Sequence, residues 1–140
     1  MRGQTWRLDD IPVGYVHRFG AAPVLAEDIA LFAERFGPGL ALRAEEEATG
    51  APQALVFALW SRMVAEETRD WPILARYGQD SLRWYAWARP GDVLCVRLTM
   101  TAKQNVSDDR GFLFAQHEVL EQNGELVLSL MTRTLLSRSA

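Results

Sequence analysis

The sequence predicts an α+β domain in which one long, curled antiparallel β-sheet wraps a single buried helix. Three observations carry that reading. Residues Ser81 to Arg138 divide into four long β-runs joined by tight turns. Before them lies Gln53-Ala54-Leu55-Val56-Phe57-Ala58-Leu59-Trp60, apolar on every side, and a helix of that kind belongs inside something. The 140 residues, 49% of them apolar, are enough for one core, so residues 1–140 read as one domain.

Each element follows from its own residues. Val13 to Ala22 places Tyr15, Val16 and Phe19 around polar His17 and Arg18, which predicts a strand ended by Pro23. Ile29, Phe32, Ala33 and Phe36 fall at i, i+3, i+4 and i+7, one face of an amphipathic helix. Glu27 and Asp28 favour its N-terminal dipole, Gly37 reads as its C′ residue, and Pro38 blocks continuation. Pro38 to Gly50 is irregular and includes Glu45, Glu46 and Glu47. The apolar helix then starts after Pro52 and turns polar at Arg62, Glu66 and Glu67, while Thr68 to Asp80 reads as a connection.

Trp84, Tyr85 and Trp87 put rings on both faces of the first β-run, and Pro90-Gly91-Asp92 launches the next. In Val93 to Lys103, Leu94, Val96, Leu98, Met100 and Ala102 share one face, as a half-buried strand requires. Gln104 to Arg110 is a polar loop. Gly111 to Gln122 and Glu125 to Ser137 form the last two strands, and Asn123-Gly124 between them is a type I′ hairpin signal.

Composition excludes several function classes. A net charge of −3 with Lys and Arg scattered singly gives no nucleic-acid footprint; Arg133 and Arg138 read as a solvated strand end. Cys95 is the only cysteine, so neither a disulfide nor a Cys-rich metal site is expected. Met1 to Arg7 lacks the apolar core of a signal peptide and no apolar run reaches spanning length, which predicts a cytoplasmic protein without membrane association.

Several pieces, taken together in order and spacing, resemble a known family. They are the opening Val13-Gly14 strand, Val24 to Gly37, Leu82-Arg83-Trp84, Arg89-Pro90-Gly91-Asp92-Val93-Leu94 and Gly124-Glu125-Leu126-Val127-Leu128. The chain is similar to the MaoC-like acyl dehydratases and (R)-specific enoyl-CoA hydratases, which have the hot-dog fold. The resemblance implies an acyl thioester such as acyl-CoA as ligand, no cofactor, and hydration of a trans-2-enoyl thioester or its reverse. It also implies a dimer, either of identical chains or with a paralogous hot-dog partner.

In that family an aspartate and a histidine of an Asp-x-Asn-Pro-x-His segment share the reacting water, and backbone N–H groups at the start of the central helix hold the thioester oxygen. Aligned from Phe32-Ala33 to Ala48, Pro38 stands at the aspartate position, Leu40 at the asparagine and Arg43 at the histidine. Proline has no titratable group and a guanidinium releases no proton. The dyad is therefore substituted, and Gln53 replaces the small glycine usual at the helix start. If the chain is active, the resemblance implies a hydro-lyase, with a thioesterase as second choice; the alternative is a non-catalytic acyl-CoA-binding or partner subunit.

The remaining candidates each have two readings. Arg43 pairs with Glu46 or Glu47 at the surface, or holds an anionic group through its planar fork. Glu45, Glu46 and Glu47 form a solvated edge, or supply a substitute base. Gln53 caps backbone groups or orients a water, with Ala54 beside it offering a backbone N–H to substrate. His117, on one face with Leu113, Ala115 and Val119, is a structural histidine or a displaced catalytic one. Neither His17 nor His117 has a partner at metal-ligand spacing, so no metal is expected.

Overall fold

The computed structural model describes residues 6–37 and 50–139. A short 3₁₀ turn (Leu8–Asp10) leads into β1 (Val16–Pro23) and helix α1 (Ala26–Phe36); helix α2 (Gln53–Glu67) precedes β2 (Ile73–Trp84), β3 (Val93–Asn105), β4 (Arg110–Leu120) and β5 (Leu126–Ser137). The five strands form one antiparallel sheet in the order β1-β3-β4-β5-β2. α2 packs across it, against β1 and β3 in particular.

Burial of α2 is one-sided. Val56, Leu59, Trp60, Met63 and Val64 are buried, at helical spacing, whereas Ala54 and Ala58 are exposed. Apolarity on every side thus does not translate into burial on every side among the described residues. From the sheet, Leu94, Val96, Leu98 and Met100 of β3, Leu113, Ala115, His117 and Val119 of β4, and Leu128 and Leu130 of β5 join the core.

The strand alternation in β3 holds to Met100 and then changes face. A register shift between Met100 and Ala102 leaves Ala102 exposed, contrary to the expectation that it shares the face of Leu94. The largest correction concerns β2, which begins at Ile73, inside the stretch expected to be a connection. Register shifts at three places along its pairing with β5, and a left-handed Ser81 (φ 55°), break the period-2 pattern that would have marked it. β2 also ends at Trp84, so Tyr85 and Trp87 lie in the crossover to β3 rather than on a strand.

Two turns differ from expectation. Gly37 ends α1 with an ordinary negative φ of −150°, its N–H bonded to Ala33 O, so it is no left-handed cap. Between β4 and β5, only Gly124 is left-handed (φ 85°); its N–H reaches Glu121 O, and Glu125 O accepts from Glu121 N. Asn123 keeps a negative φ, which excludes type I′. Glu121 braces the turn by accepting from the backbone N–H groups of Asn123 and Glu125 at 2.7 and 2.8 Å.

The ends of the described chain are tied together. Lys103 Nζ donates to Leu8 O at 3.1 Å, and Arg138 Nε meets Asp9 Oδ1 at 3.2 Å. At Gly20, in β1 with φ 87°, a Cβ would lie 2.5 Å from Met63 Sδ on α2. Gly20→Ala therefore combines left-handed strain with overpacking at the helix–sheet contact. It is expected to cost about 2 kcal/mol, read as a lowered urea midpoint with an unchanged slope.

Candidate functional site

Among the described residues, a concavity lies at each end of α2. The first is an open groove of about 580 Å³ at its N-terminus, lined by Gln53, Trp84 at the end of β2, the crossover residues Tyr85, Trp87 and Arg89, and Glu121 and Glu125 of the neighbouring turn. Ala51 N donates to Ala88 O at 2.7 Å, with both alanines buried, and this clamps the segment entering α2 against the crossover. Arg89 N donates to Asp92 Oδ2 at 2.8 Å, fixing the turn that launches β3. Tyr85 is held through its N–H to Val127 O and its hydroxyl to Ser129 Oγ, at 3.2 Å.

Among the described residues, the start of α2 carries no side-chain cap. Pro52 occupies the N-cap position, and its carbonyl accepts from the N–H groups of Leu55 and Val56 at 3.0 and 3.1 Å. The N–H groups of Gln53 and Ala54 have no carbonyl to reach within the helix. With the helix dipole behind them, they are suited to an oxygen on which negative charge builds.

The second concavity, about 100 Å³, lies beside the C-terminal half of α2, with Trp60, His117 and Thr132 in its wall. His117 is 3% exposed and bonded at both ring nitrogens. Trp60 Nε1 lies 3.1 Å from Nδ1, and Nε2 lies 2.9 Å from Thr132 Oγ1. An indole N–H only donates, so Nδ1 is the acceptor, Nε2 carries the proton, and Thr132 Oγ1 accepts it. Burial, joined by the charge of Arg76, holds the imidazole down at about 3, against an ordinary 6.5.

The sequence candidates fall into two sets. Gln53 and Ala54 stand at the helix start, with Gln53 in the groove wall, and His117 lies about 10 Å farther along α2, judged by its partner Trp60. Pro38, Leu40, Arg43, Glu45, Glu46 and Glu47 lie outside the described residues. His17, which has no role in either concavity, donates from Nε2 to Glu67 Oε1 at 2.8 Å and ties β1 to the end of α2. Sequence reasoning missed Arg76 and Thr132, because the register that aligns them with α2 is set by bulges in β2 and by pairings far apart in the chain. Among the described residues, no group of three or more His, Cys, Asp or Glu is placed to hold a metal ion. No helix there is long and apolar enough to cross a membrane.

No protein-family model and no curated protein sequence matches this chain. Solved structures do. A monoamine oxidase regulatory protein from Archaeoglobus superposes over 100% of both chains, with TM-score 0.82 and 21% identity. A MaoC-like dehydratase from Rhodospirillum rubrum gives TM-score 0.82 and 24% identity over 96% of this chain and 99% of its own. A Mycobacterium tuberculosis protein described as having a double hot-dog fold gives 0.79 and 18% over 99% of this chain and 46% of its own. The fold is the hot-dog fold. (R)-Hydratases share it too. This chain matches under half the length of the double hot-dog protein.

The buried neutral histidine has a consequence for stability. The unfolded chain takes up a proton near 6.5, whereas the folded chain does so only near 3, so between those values the unfolded state holds more protons. Stability therefore falls as pH falls through that window, by up to about 1.4 kcal/mol per pH unit. Urea midpoints at pH 7 and pH 5 check this: the difference is expected to shrink in His117→Gln, and an unchanged difference refutes a neutral buried His117.

Proposed function

We propose that this chain handles acyl thioesters as a divergent MaoC-like hydratase or dehydratase, holding the thioester carbonyl at the start of α2. The N–H groups of Gln53 and Ala54 at the start of α2, where Gln53 lines a groove clamped by the Ala51–Ala88 bond, carry the reading. Proton removal at the α-carbon moves charge onto the thioester oxygen, where two backbone donors and the helix dipole favour it. The hot-dog architecture shared with dehydratases and (R)-hydratases supports the same reaction class.

The acid and base then differ from those of the family. With Pro38 and Arg43 at the dyad positions, a carboxylate among Glu45 and Glu46 takes the base role, and Arg43 holds an anionic part of the substrate. His117, with both nitrogens engaged, serves the core. A second copy or a paralogous hot-dog chain is proposed to cover the outer edge of β2, which has 12 residues and exposes Leu74, Tyr77 and Leu82. The substituted dyad also favours a second reading, a non-catalytic acyl-CoA-binding subunit that pairs with a complete one.

Loss of the conjugated enoyl-thioester absorbance, followed with enoyl-CoA substrates of increasing length, tests both. Turnover above a heat-denatured control is expected, and Gln53→Trp, which fills the groove, is expected to lower it at least about ten-fold. Acyl-CoA binding without turnover selects the non-catalytic subunit. Neither binding nor turnover overturns the assignment.

A further inference from the structure

The smaller concavity, beside the C-terminal half of α2, has an unusual balance of polar groups. Its floor is apolar, formed by Val64, Leu98, Leu113 and Leu136. Among the described residues, Arg76 brings a guanidinium to its rim, and no Asp or Glu lines it. Arg76 donates to Thr68 Oγ1 at 3.0 Å, and Thr68, itself 6% exposed, passes its own proton to Val64 O at 2.7 Å. Arg133 pairs with Phe114, on the sheet face opposite to Thr132 and Ala115, and its guanidinium rests on the Phe112 ring at 5.8 Å, away from the concavity. Among the described residues, neither guanidinium meets a carboxylate. Partial desolvation lowers the pKa of Arg76, and among the described residues no acidic group acts against it.

Other donors in the same wall lack acceptors. Trp71 lines the concavity, and its indole N–H is buried with no partner among the described residues. Thr132 Oγ1 accepts from His117 Nε2, as the tautomer requires, which leaves the Thr132 hydroxyl proton uncommitted. The buried indole N–H is costly without an acceptor, whereas Arg76 is exposed at the mouth of the concavity and water meets its guanidinium until an acceptor bearing charge offers it a stronger hydrogen bond.

We propose that this concavity binds the carboxylate head of a short-chain organic acid. The Arg76 guanidinium and the Thr132 hydroxyl donate to the carboxylate, and the alkyl tail lies on Leu98 and Leu113. A volume of about 100 Å³ is smaller than the ~150 Å³ that houses a benzene ring, so the enclosed part of the ligand has only a few carbons. A bare phosphate would meet the donors but leave the apolar floor uncovered. The site is independent of the groove at Gln53 and stands whether or not that groove binds thioesters.

Calorimetric titration of the full chain with sodium butyrate tests it, with butan-1-ol and inorganic phosphate as paired probes. Butyrate is expected to bind at least about ten-fold more tightly than butan-1-ol, and Arg76→Gln to weaken butyrate by a similar factor with its fold confirmed by circular dichroism. Equal affinity for butyrate and butan-1-ol overturns the proposal, since the donors would then contribute nothing. So does phosphate binding as tightly as butyrate, or no detectable binding of butyrate. The comparison of probes on the unmodified chain decides the matter even where Arg76→Gln fails to fold.

Discussion

One helix face pressed into the concave side of a sheet organises this molecule. Val56, Leu59, Trp60, Met63 and Val64 recur at the spacing of a single helical stripe, and all are buried against strands far away in sequence. Burying such side chains is worth roughly 1.5–3 kcal/mol each, so the stripe outweighs any single polar contact in the domain. Direction comes from elsewhere. An apolar stripe alone tolerates sliding and rotation, whereas Trp60 must place its indole N–H on His117 Nδ1, 57 residues later. That bond fixes the rotation of α2 about its own axis, and with it which residues meet solvent at either end.

The strands serve that placement. Gly20 lets β1 approach Met63, and the shift after Met100 turns the end of β3 away from the core, where Lys103 caps the carbonyl of Leu8. β4 and β5 remain regular where they support His117 and Thr132, whose Cα partners across the ladder are Leu130 and Ala115. Irregularity concentrates in β2, on the sheet edge, where bulges re-aim side chains without disturbing the core. Arg76 owes its position over Thr68 to that irregular strand.

Much of this was legible in the sequence, for identifiable reasons. The alternation from Leu94 to Met100 and from Gly111 to Val119 reports a sheet with one wet face, and the structure buries every second residue of both stretches. The uniform apolarity of Gln53 to Trp60 marks the central helix but overstates its burial, because composition says how a face is made and not what covers it. β2 was hidden by its bulges and by exposure, since strand reading depends on one face being consistently apolar. The turn at Glu121 to Gly124 shows the same limit: Asn-Gly favours two left-handed residues, and the carboxylate of Glu121 supports a turn that needs only one. The polar chain from Trp60 through His117 to Thr132 has no local signature at all, because each member looks like an ordinary core or strand residue until the fold brings them together.

The two ends of α2 pose opposite electrostatic problems. At Gln53 the helix start, with its free N–H groups and partial positive charge, borders an open groove where water can satisfy them until an oxygen arrives. At the other end Thr68 closes the helix, and Arg76 sits against it, so the partial negative charge of the terminus faces a cation. That accounts for part of the placement of Arg76, because a helix terminus offers about half a charge. It does not account for the orphan indole of Trp71 or for a Thr132 proton left over once His117 is neutral. A neutral His117 is what makes the sum one-sided: were the imidazole charged, Nδ1 would be a donor too and could not accept from Trp60. The hydrogen bond that orients the helix therefore also sets the direction of the chain that ends in the concavity, and it leaves that end with a hydroxyl proton to donate.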